Sequence, residues 1–203
     1  MKIRNGMRVI LLAGILWLLM AGCGAAEGAV PDLRTPESVP TGVFQFRNGI
    51  TWGMTPEQVQ TIEQTPMIER KQDLWSVLYT RSRVEVSRYS ADLVFMFREN
   101  SLKMITYDFG TTAGDGSYGY LIGALSEVYG EGLTPDAAQI VTLMDQIYPG
   151  FYTAERLTNP HGWLADDGTR VYLYYYAEGA FAILYASPEM NTPGSGGFIT
   201  NGL

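Results

Sequence analysis

The stretch LVFMFRENSLKMITYDF, residues 93–109, decides the fold of this chain. It contains two runs rich in apolar and aromatic residues, Leu93–Phe97 and Leu102–Phe109, on either side of the polar segment Arg98–Ser101. Two such runs with a short polar break between them are typical of a β-hairpin. We therefore predict a pair of antiparallel strands joined by a tight turn.

Two more strand-like segments precede this hairpin, Ser76–Arg81 and Val84–Tyr89. Both contain Val and Tyr and are bounded by polar residues, which favours strands. Because consecutive strands with short connections usually pair with each other, the four segments together predict an antiparallel meander.

A helix is predicted immediately before the meander. Thr55 is a good N-cap, Gln58 can complete a capping box with it, and Glu57 between them interacts favourably with the helix dipole. Trp52 is expected to pack its ring over the start of this helix. Gly53 lets the backbone turn there without a clash from a Cβ atom. We expect these five residues to have a structural role.

The second half of the chain has the same order of a helical part followed by strands. Apolar residues at helical spacing predict a helix over Ser117–Tyr129 with Ser117 as its N-cap. A further helix is predicted to begin at Thr134-Pro135-Asp136 and to stop before Pro149. Three strands follow, with a turn at Asp166-Asp167-Gly168 between the first two: Gly162–Leu164, Arg170–Tyr176 and Ala180–Ala186.

The fold class predicted from these elements is α+β, with short helices packed on an antiparallel sheet. Two arrangements fit: two helix-plus-sheet units, residues 43–113 and 114–187, or one continuous sheet with helices on one face. Thr55-Pro56-Glu57 and Thr134-Pro135-Asp136 have the same cap chemistry. A degenerate duplication would explain this, and so would chance, because Thr-Pro-acid is a common helix start.

The N-terminus has the features of an export signal. Three basic residues precede the apolar run Val9–Met20, and small residues then lead to Cys23, the only cysteine. A membrane-spanning helix needs about 20 apolar residues, so this shorter run suits a cleaved signal peptide over residues 1–22. The segment resembles the signal of bacterial lipoproteins. That resemblance implies a lipidated Cys23, acylation with fatty acids such as palmitate, and an extracytoplasmic protein anchored to the cell membrane by its lipid.

Both ends of the mature chain are predicted to be irregular. Residues 23–42 contain Pro and Gly without apolar periodicity, which predicts a flexible tether, and residues 188–203 are predicted to form an irregular tail. The full chain has a net charge of −7, and removal of the basic signal segment makes it more acidic. This charge disfavours nucleic-acid binding. With Cys23 lipidated, no cysteine remains for a disulfide, so packing alone must stabilise the fold.

The segment FRNGITWGMTPEQV, Phe46–Val59, resembles an opening found in uncharacterised lipoproteins and secreted proteins of Gram-positive bacteria. The common form is F-R-(N)-G-I-x-W-G-(M/D)-(S/T)-x-E-x-V. The helix–sheet layout is also similar to that of SmpA-like outer-membrane assembly lipoproteins and of β-lactamase inhibitory proteins, which bind other proteins through their sheets. The resemblance implies an α+β fold and a protein-binding role, and it supplies no catalytic residue.

The sequence offers few residues for catalysis or metal binding. His161 is the only histidine, and its neighbours Pro160 and Gly162 favour a surface loop over a metal ligand or general base. No G-x-S-x-G motif accompanies it. Asp166-Asp167-Gly168 lacks the spaced acids of a calcium loop. We therefore expect no cofactor, no metal site and no enzymatic activity. A glycosidase-type pair of carboxylates stays open, because spacing selects no two of the acids.

The aromatic content is the remaining signal. Tyr172, Tyr174 and Tyr176 alternate along a strand and so share one face. That face is either core beneath the helices or, together with Trp75 and Trp163, a binding surface. The function predicted is a membrane-tethered, non-enzymatic lipoprotein that binds an unidentified envelope protein or other envelope component. A cell-wall or carbohydrate-binding module and an envelope hydrolase are the alternatives.

Overall fold

The computed structural model describes residues 44–111, 114 and 116–190 of the chain. The predicted signal peptide, the lipidation site Cys23 and the tether of residues 23–42 lie outside the described residues, as does the tail from residue 191 onward. Within the described ranges, no helix is long and apolar enough to cross a membrane.

Three helices and eight strands make up the described part of the chain. The helices are α1 (Pro56–Glu63), α2 (Ser117–Tyr129) and α3 (Ala137–Asp145). The strands are β1 (Met67–Gln72), β2 (Trp75–Thr80), β3 (Val84–Val86), β4 (Tyr89–Arg98), β5 (Ser101–Gly110), β6 (Thr158–Leu164), β7 (Arg170–Ala177) and β8 (Ala180–Ala186). The predicted α+β class is confirmed, and more residues of the described part belong to the sheet than to the helices.

The strands form one antiparallel sheet with the order β1-β2-β4-β5-β8-β7-β6, and β3 pairs with β4 beside this path. The two halves of the chain meet at the centre, where β5 pairs with β8. The sheet is therefore continuous across the predicted boundary between residues 113 and 114.

The helices cover both faces of this sheet. Val59 of α1 and Leu121 of α2 belong to the core on one face, hereafter the α2 face. Ile140 and Leu143 of α3 belong to the core on the opposite face, hereafter the α3 face. The predicted arrangement with helices on one face is wrong, because the central strands carry apolar side chains on both faces and each set must be buried.

This arrangement separates the two helices that share a cap sequence. A twofold axis that relates the antiparallel neighbours β5 and β8 runs perpendicular to the sheet, so it leaves each helix on its original face. However, α1 and α3 lie on opposite faces. Their common Thr-Pro-acid start therefore does not support a duplication.

The turn between β4 and β5 has a local cause. Glu99 and Asn100 have φ angles of 50° and 66°, the left-handed conformation that both central residues of a type I′ hairpin turn adopt. Beyond this turn, an additional residue on β5, Lys103, forms a β-bulge, so that Met104 pairs with Met96. The bulge shifts the register of the rest of the hairpin by one residue.

The start of α1 agrees with the sequence prediction. The side-chain oxygen of Thr55 accepts a hydrogen bond from the backbone N–H of Gln58 at 3.4 Å, and Gln58 Oε1 accepts one from the backbone N–H of Thr55 at 2.9 Å. The capping box is thus confirmed. Hydrogen bonds from its own backbone N–H and from Thr55 lower the pKa of the exposed Glu57 carboxyl, which favours its charged form at the helix start.

The other two predicted caps are wrong. Ser117 is the first residue of α2 and not its N-cap, and its hydroxyl donates to the carbonyl oxygen of Gly114 at 2.7 Å. The N-cap of α3 is Asp136 instead of Thr134, and its carboxylate accepts from the backbone N–H of Ala138 at 2.9 Å. In both cases several capping residue types stand close together, and sequence alone does not select among them.

The Phe46–Val59 segment forms contacts with residues that are distant in the sequence. Arg47 Nε lies 3.2 Å from the carboxylate of Glu63, whose side chain is fully buried at the end of α1. Trp52 Nε1 donates to Thr169 Oγ1 at 2.7 Å, which ties the start of α1 to the turn between β6 and β7. Gly53 has a φ of 85°, so a glycine is needed at this position. These contacts give the motif a structural role.

Candidate functional site

The predicted tyrosine row lies on the α3 face and is mostly core. Tyr172 and Tyr174 are 0% exposed and belong to the cluster formed by α3, whereas Tyr176 is half-buried. The three side chains share a face, as predicted. However, the alternative that they form a binding surface is wrong for Tyr172 and Tyr174, because both side chains are buried in the core between the sheet and α3.

The two tryptophans assigned to the same surface are also buried. Trp163 lies in the core of the α2 face, and its Nε1 donates to Ser126 Oγ at 3.3 Å. Trp75 lies in the core of the α3 face. Since they are on opposite faces, no single surface contains both. The prediction that Trp75 and Trp163 contribute to a binding surface is therefore wrong.

The α3 face opens into a cleft beyond the end of α3. Residues of β2, β4 and β5 form the floor of the cleft. Residues that follow α3 form its walls, among them Tyr148, Phe151 and Tyr152. Its volume is about 380 Å³, within the range of about 300–1,000 Å³ that is common for small-molecule sites. The strands that form the floor lie in the interior of the sheet, so the site has a rigid base.

Two carboxylates face each other on the floor of the cleft. Asp92 of β4 and Asp108 of β5 are directly opposite in the antiparallel pair, an arrangement that places Cβ atoms about 4.5–5.5 Å apart. Both residues line the cleft, as does Thr106. The pairing depends on the bulge at Lys103, because in the unshifted register Asp92 would face Tyr107.

One phenol hydroxyl contacts this pair, and two others bond to each other in the cleft lining. Tyr176 donates to Asp108 Oδ1 at 2.7 Å, and the backbone N–H of Gly110 donates to the same oxygen at 2.8 Å. The hydroxyls of Tyr79 and Tyr148 are 2.8 Å apart and share a hydrogen bond. Burial raises the pKa of Tyr148, and the bond to Tyr79 adds to that rise. A phenol hydroxyl can both donate and accept a hydrogen bond.

Two buried hydroxyls at the cleft have no hydrogen-bond partner among the described residues, those of Thr106 and Tyr174. Thr106 is 5% exposed and lines the cleft directly. Tyr174 lies deeper, with its ring 6.4 Å from the ring of Tyr152, and burial raises its pKa well above the usual value. An unpaired buried hydroxyl costs about 1–3 kcal/mol. Such groups therefore mark a place where a ligand or a water has polar partners to satisfy.

Phe151 forms an exposed ridge at the mouth of the cleft. Its ring packs edge-on against Tyr152 at 4.9 Å, yet its side chain is 55% exposed. On the other side of Phe151 lies a second, wider concavity of about 710 Å³, whose lining includes Arg156, Tyr176 and Glu178. A ligand longer than the cleft could therefore continue past the ridge.

His161 lies away from the cleft. Its ring contacts those of Tyr118 and Trp163, with centroids 6.0 and 6.2 Å apart, on the face opposite Asp92 and Asp108. Burial lowers its pKa, which favours the neutral ring. His161 and this pair of acids therefore do not belong to one site. The described residues also contain no group of three His, Cys, Asp or Glu side chains that could hold a metal ion.

No protein-family model matches the chain, and no curated protein or solved structure shows significant similarity to it. The resemblance of Phe46–Val59 to Gram-positive lipoproteins, and that of the layout to SmpA-like and β-lactamase inhibitory proteins, stay predictions.

Sequence reasoning finds residues next to the cleft and not its lining. It identifies Tyr174, whose ring lies near that of Tyr152, and Tyr176, which donates to Asp108, and it finds neither Asp92 nor Asp108. One weak signal for these acids exists. In β4 and β5 the alternate side chains on this face are mostly apolar and buried, and Asp92 and Asp108 occupy positions of that series where an apolar residue is expected. That the two acids face each other, however, depends on a β-bulge that no sequence pattern predicts.

Proposed function

We propose that this chain is a membrane-tethered extracytoplasmic lipoprotein and that its folded part is a non-enzymatic module that binds an envelope component in the cleft. The anchor is supported by the lipoprotein-like segment that ends at Cys23. Residues 23–42 would then separate the folded part from the membrane surface, so that the cleft can reach a partner in the envelope.

The cleft is the observation that carries this proposal. It combines apolar walls, such as Met96 and Met144, with hydroxyls and carboxylates that converge on one volume. This combination is typical of sites that bind a ligand and fix its orientation. The Phe151 ridge adds exposed aromatic surface at the mouth, which favours contact with a larger partner.

The carboxylates support binding over catalysis. A catalytic acid is usually held protonated by burial in an apolar pocket. Asp92 is exposed, and Asp108 is half-buried with one oxygen that already accepts two hydrogen bonds. Both groups therefore have carboxylate oxygens that can accept hydrogen bonds from a ligand.

Site-specific photocrosslinking in cells tests the binding role. A photoreactive phenylalanine analogue at Phe151 should form adducts with an envelope component. The matched control is Leu74 in the turn between β1 and β2, which is 57% exposed against 55% for Phe151. Adducts of equal yield at both positions, or none at Phe151, would contradict the proposal. An adduct that is degraded by a cell-wall hydrolase and resists a protease would favour the carbohydrate-binding alternative. The exposed ring of Phe151 is the structural argument for that alternative.

The anchor is tested separately. Cys23→Ala should abolish labelling with palmitate and either release the protein or leave an uncleaved precursor. Cell fractionation with the parent chain as control measures this. Equal labelling and fractionation of the two chains would show that the lipoprotein assignment is wrong.

A further inference from the structure

The lining of the cleft has a net negative charge. Asp92 and Asp108 are its only charged lining residues, and no Lys or Arg of the described chain lines it. Like charges directly opposite each other on neighbouring strands destabilise a sheet. The fold retains this pair at the floor of a concavity, where a positively charged ligand group would remove the repulsion.

Two basic side chains close to residues of the cleft contact a ring or backbone carbonyl oxygens. The Arg70 guanidinium lies over the ring of Tyr79, 5.3 Å from its centroid, on the edge strand β1. Arg83 Nη2 donates to the backbone carbonyl oxygens of Ser90 at 2.7 Å, Phe109 at 2.9 Å and Asp108 at 3.5 Å. Neither residue is part of the cleft lining.

The acceptors that remain match a nitrogen cation. Asp108 Oδ1 accepts from Tyr176 and Gly110, and within the described ranges the carboxylate of Asp92 has no hydrogen bond. The buried and unpartnered hydroxyl of Thr106 lies two pairs along the same two strands, opposite Val94 and on the same face as Asp108. An ammonium group has three N–H donors and a guanidinium five, and neither has an acceptor that would conflict with these oxygens.

We propose that the cleft binds an organic cation, a primary ammonium or guanidinium group, between Asp92 and Asp108. Tyr79, Tyr148 and Tyr152 line the same cleft, and aromatic faces attract cations. Met96 and Met144 provide apolar contact for the alkyl chain that carries the charge. This inference rests on the proposed binding function and names the ligand chemistry for the same site.

A bare metal ion fits the cleft less well. Calcium takes six to eight oxygen ligands, most of them from carboxylates, carbonyls and water, and the cleft supplies two carboxylates. A volume of about 380 Å³ also exceeds what a single ion fills, whereas it accommodates a chain of several carbon atoms.

Titration calorimetry on the purified full-length protein tests the inference. The probe is cadaverine, with 1,5-pentanediol as a neutral molecule of the same length and calcium chloride as the metal control. A capped lysine-containing peptide forms a further arm. Binding of cadaverine and the peptide supports the inference for any amine, and binding of the peptide alone supports it with a polypeptide side chain as the source. Equal binding of the diol, or binding of calcium without cadaverine or the peptide, would overturn it.

Variants locate the binding. Asp92→Asn should weaken cadaverine or peptide binding about tenfold, the effect expected for a lost hydrogen bond between charged groups, and Thr106→Val should weaken it less. Asp92 is exposed, so its amide variant should fold normally. The control is Glu127→Gln, an exposed acid on α2 away from the cleft, which should leave binding unchanged. An unchanged affinity in Asp92→Asn would overturn the inference.

The two proposals fail in different ways. Adducts at Phe151 without binding of cadaverine or the peptide would leave the binding function in place and overturn the cation inference. Cadaverine binding that depends on Asp92, without adducts at Phe151, would support the cation site and contradict the envelope partner.

Discussion

Tyr174 provides the sharpest test of the packing on the α3 face. Its side chain is 0% exposed, and its hydroxyl has no partner within the part of the chain that the structure describes. Tyr174→Phe removes that hydroxyl and keeps the ring, so it should raise the free energy of unfolding by about 1 kcal/mol, the lower end of the cost of an unpaired buried hydroxyl. Tyr174→Ala removes the ring as well and should cost about 3–5 kcal/mol, as for other large aromatic truncations.

Urea denaturation measures both changes, provided that the m-value stays constant. The matched control is Tyr176→Phe two residues along β7, which loses a hydrogen bond to the Asp108 carboxylate and should cost about 1 kcal/mol because Tyr176 is only half-buried. A loss of 1 kcal/mol or more in Tyr174→Phe would refute the reasoning, because it would show that the hydroxyl has a partner. A loss below about 1 kcal/mol in Tyr174→Ala would show that Tyr174 is not core.

Three further changes test other parts of the fold by urea midpoints. Thr55→Ala removes the N-cap of α1 and should cost about 1 kcal/mol, Gln58→Ala less; equal midpoints for both variants and the parent would contradict the cap. Glu63→Ala breaks a buried ion pair and should cost about 2–3 kcal/mol, below the 3–5 kcal/mol of fully buried pairs because the Arg47 side chain is 30% exposed; an unchanged midpoint would show that the pair contributes nothing. Burial raises the pKa of Tyr107 to about 12, so the unfolded chain loses that proton first, and stability should fall as the pH rises above about 10. Constant midpoints up to pH of about 12 would contradict this.

The elements that follow from the sequence are those with a strong local cause. The turn at Glu99 and Asn100, the capping box of Thr55 and the period-2 alternation in β7 each depend on neighbouring residues. In contrast, β1 gives no such signal. Its sequence MIERKQ is exposed at five of six positions, because an edge strand with charged side chains needs no apolar face and resists pairing with other chains.

The site depends on longer-range features. Alternation places the tyrosines on one face, but only the position of α3 decides that Tyr172 and Tyr174 are covered while the end near Tyr176 stays open. Asp92 and Asp108 face each other because one additional residue in β5 shifts the register. Neither the docking of a helix nor a bulge has a distinct sequence pattern here, which is why the cleft could not be predicted.

The pairing of β5 with β8 has a consequence for how the chain folds. The residues that pair are far apart in sequence, and α2, α3, β6 and β7 all lie between them, so closure of the sheet requires contacts of high sequence separation and should be slow. Because a chain is synthesised from its N-terminus, β5 is complete before β8. Until then the apolar strand MITYDF, residues 104–109, has an open edge, the kind of surface that pairs with other chains. Premature termination before residue 180 would therefore leave an aggregation-prone fragment, not a smaller working domain.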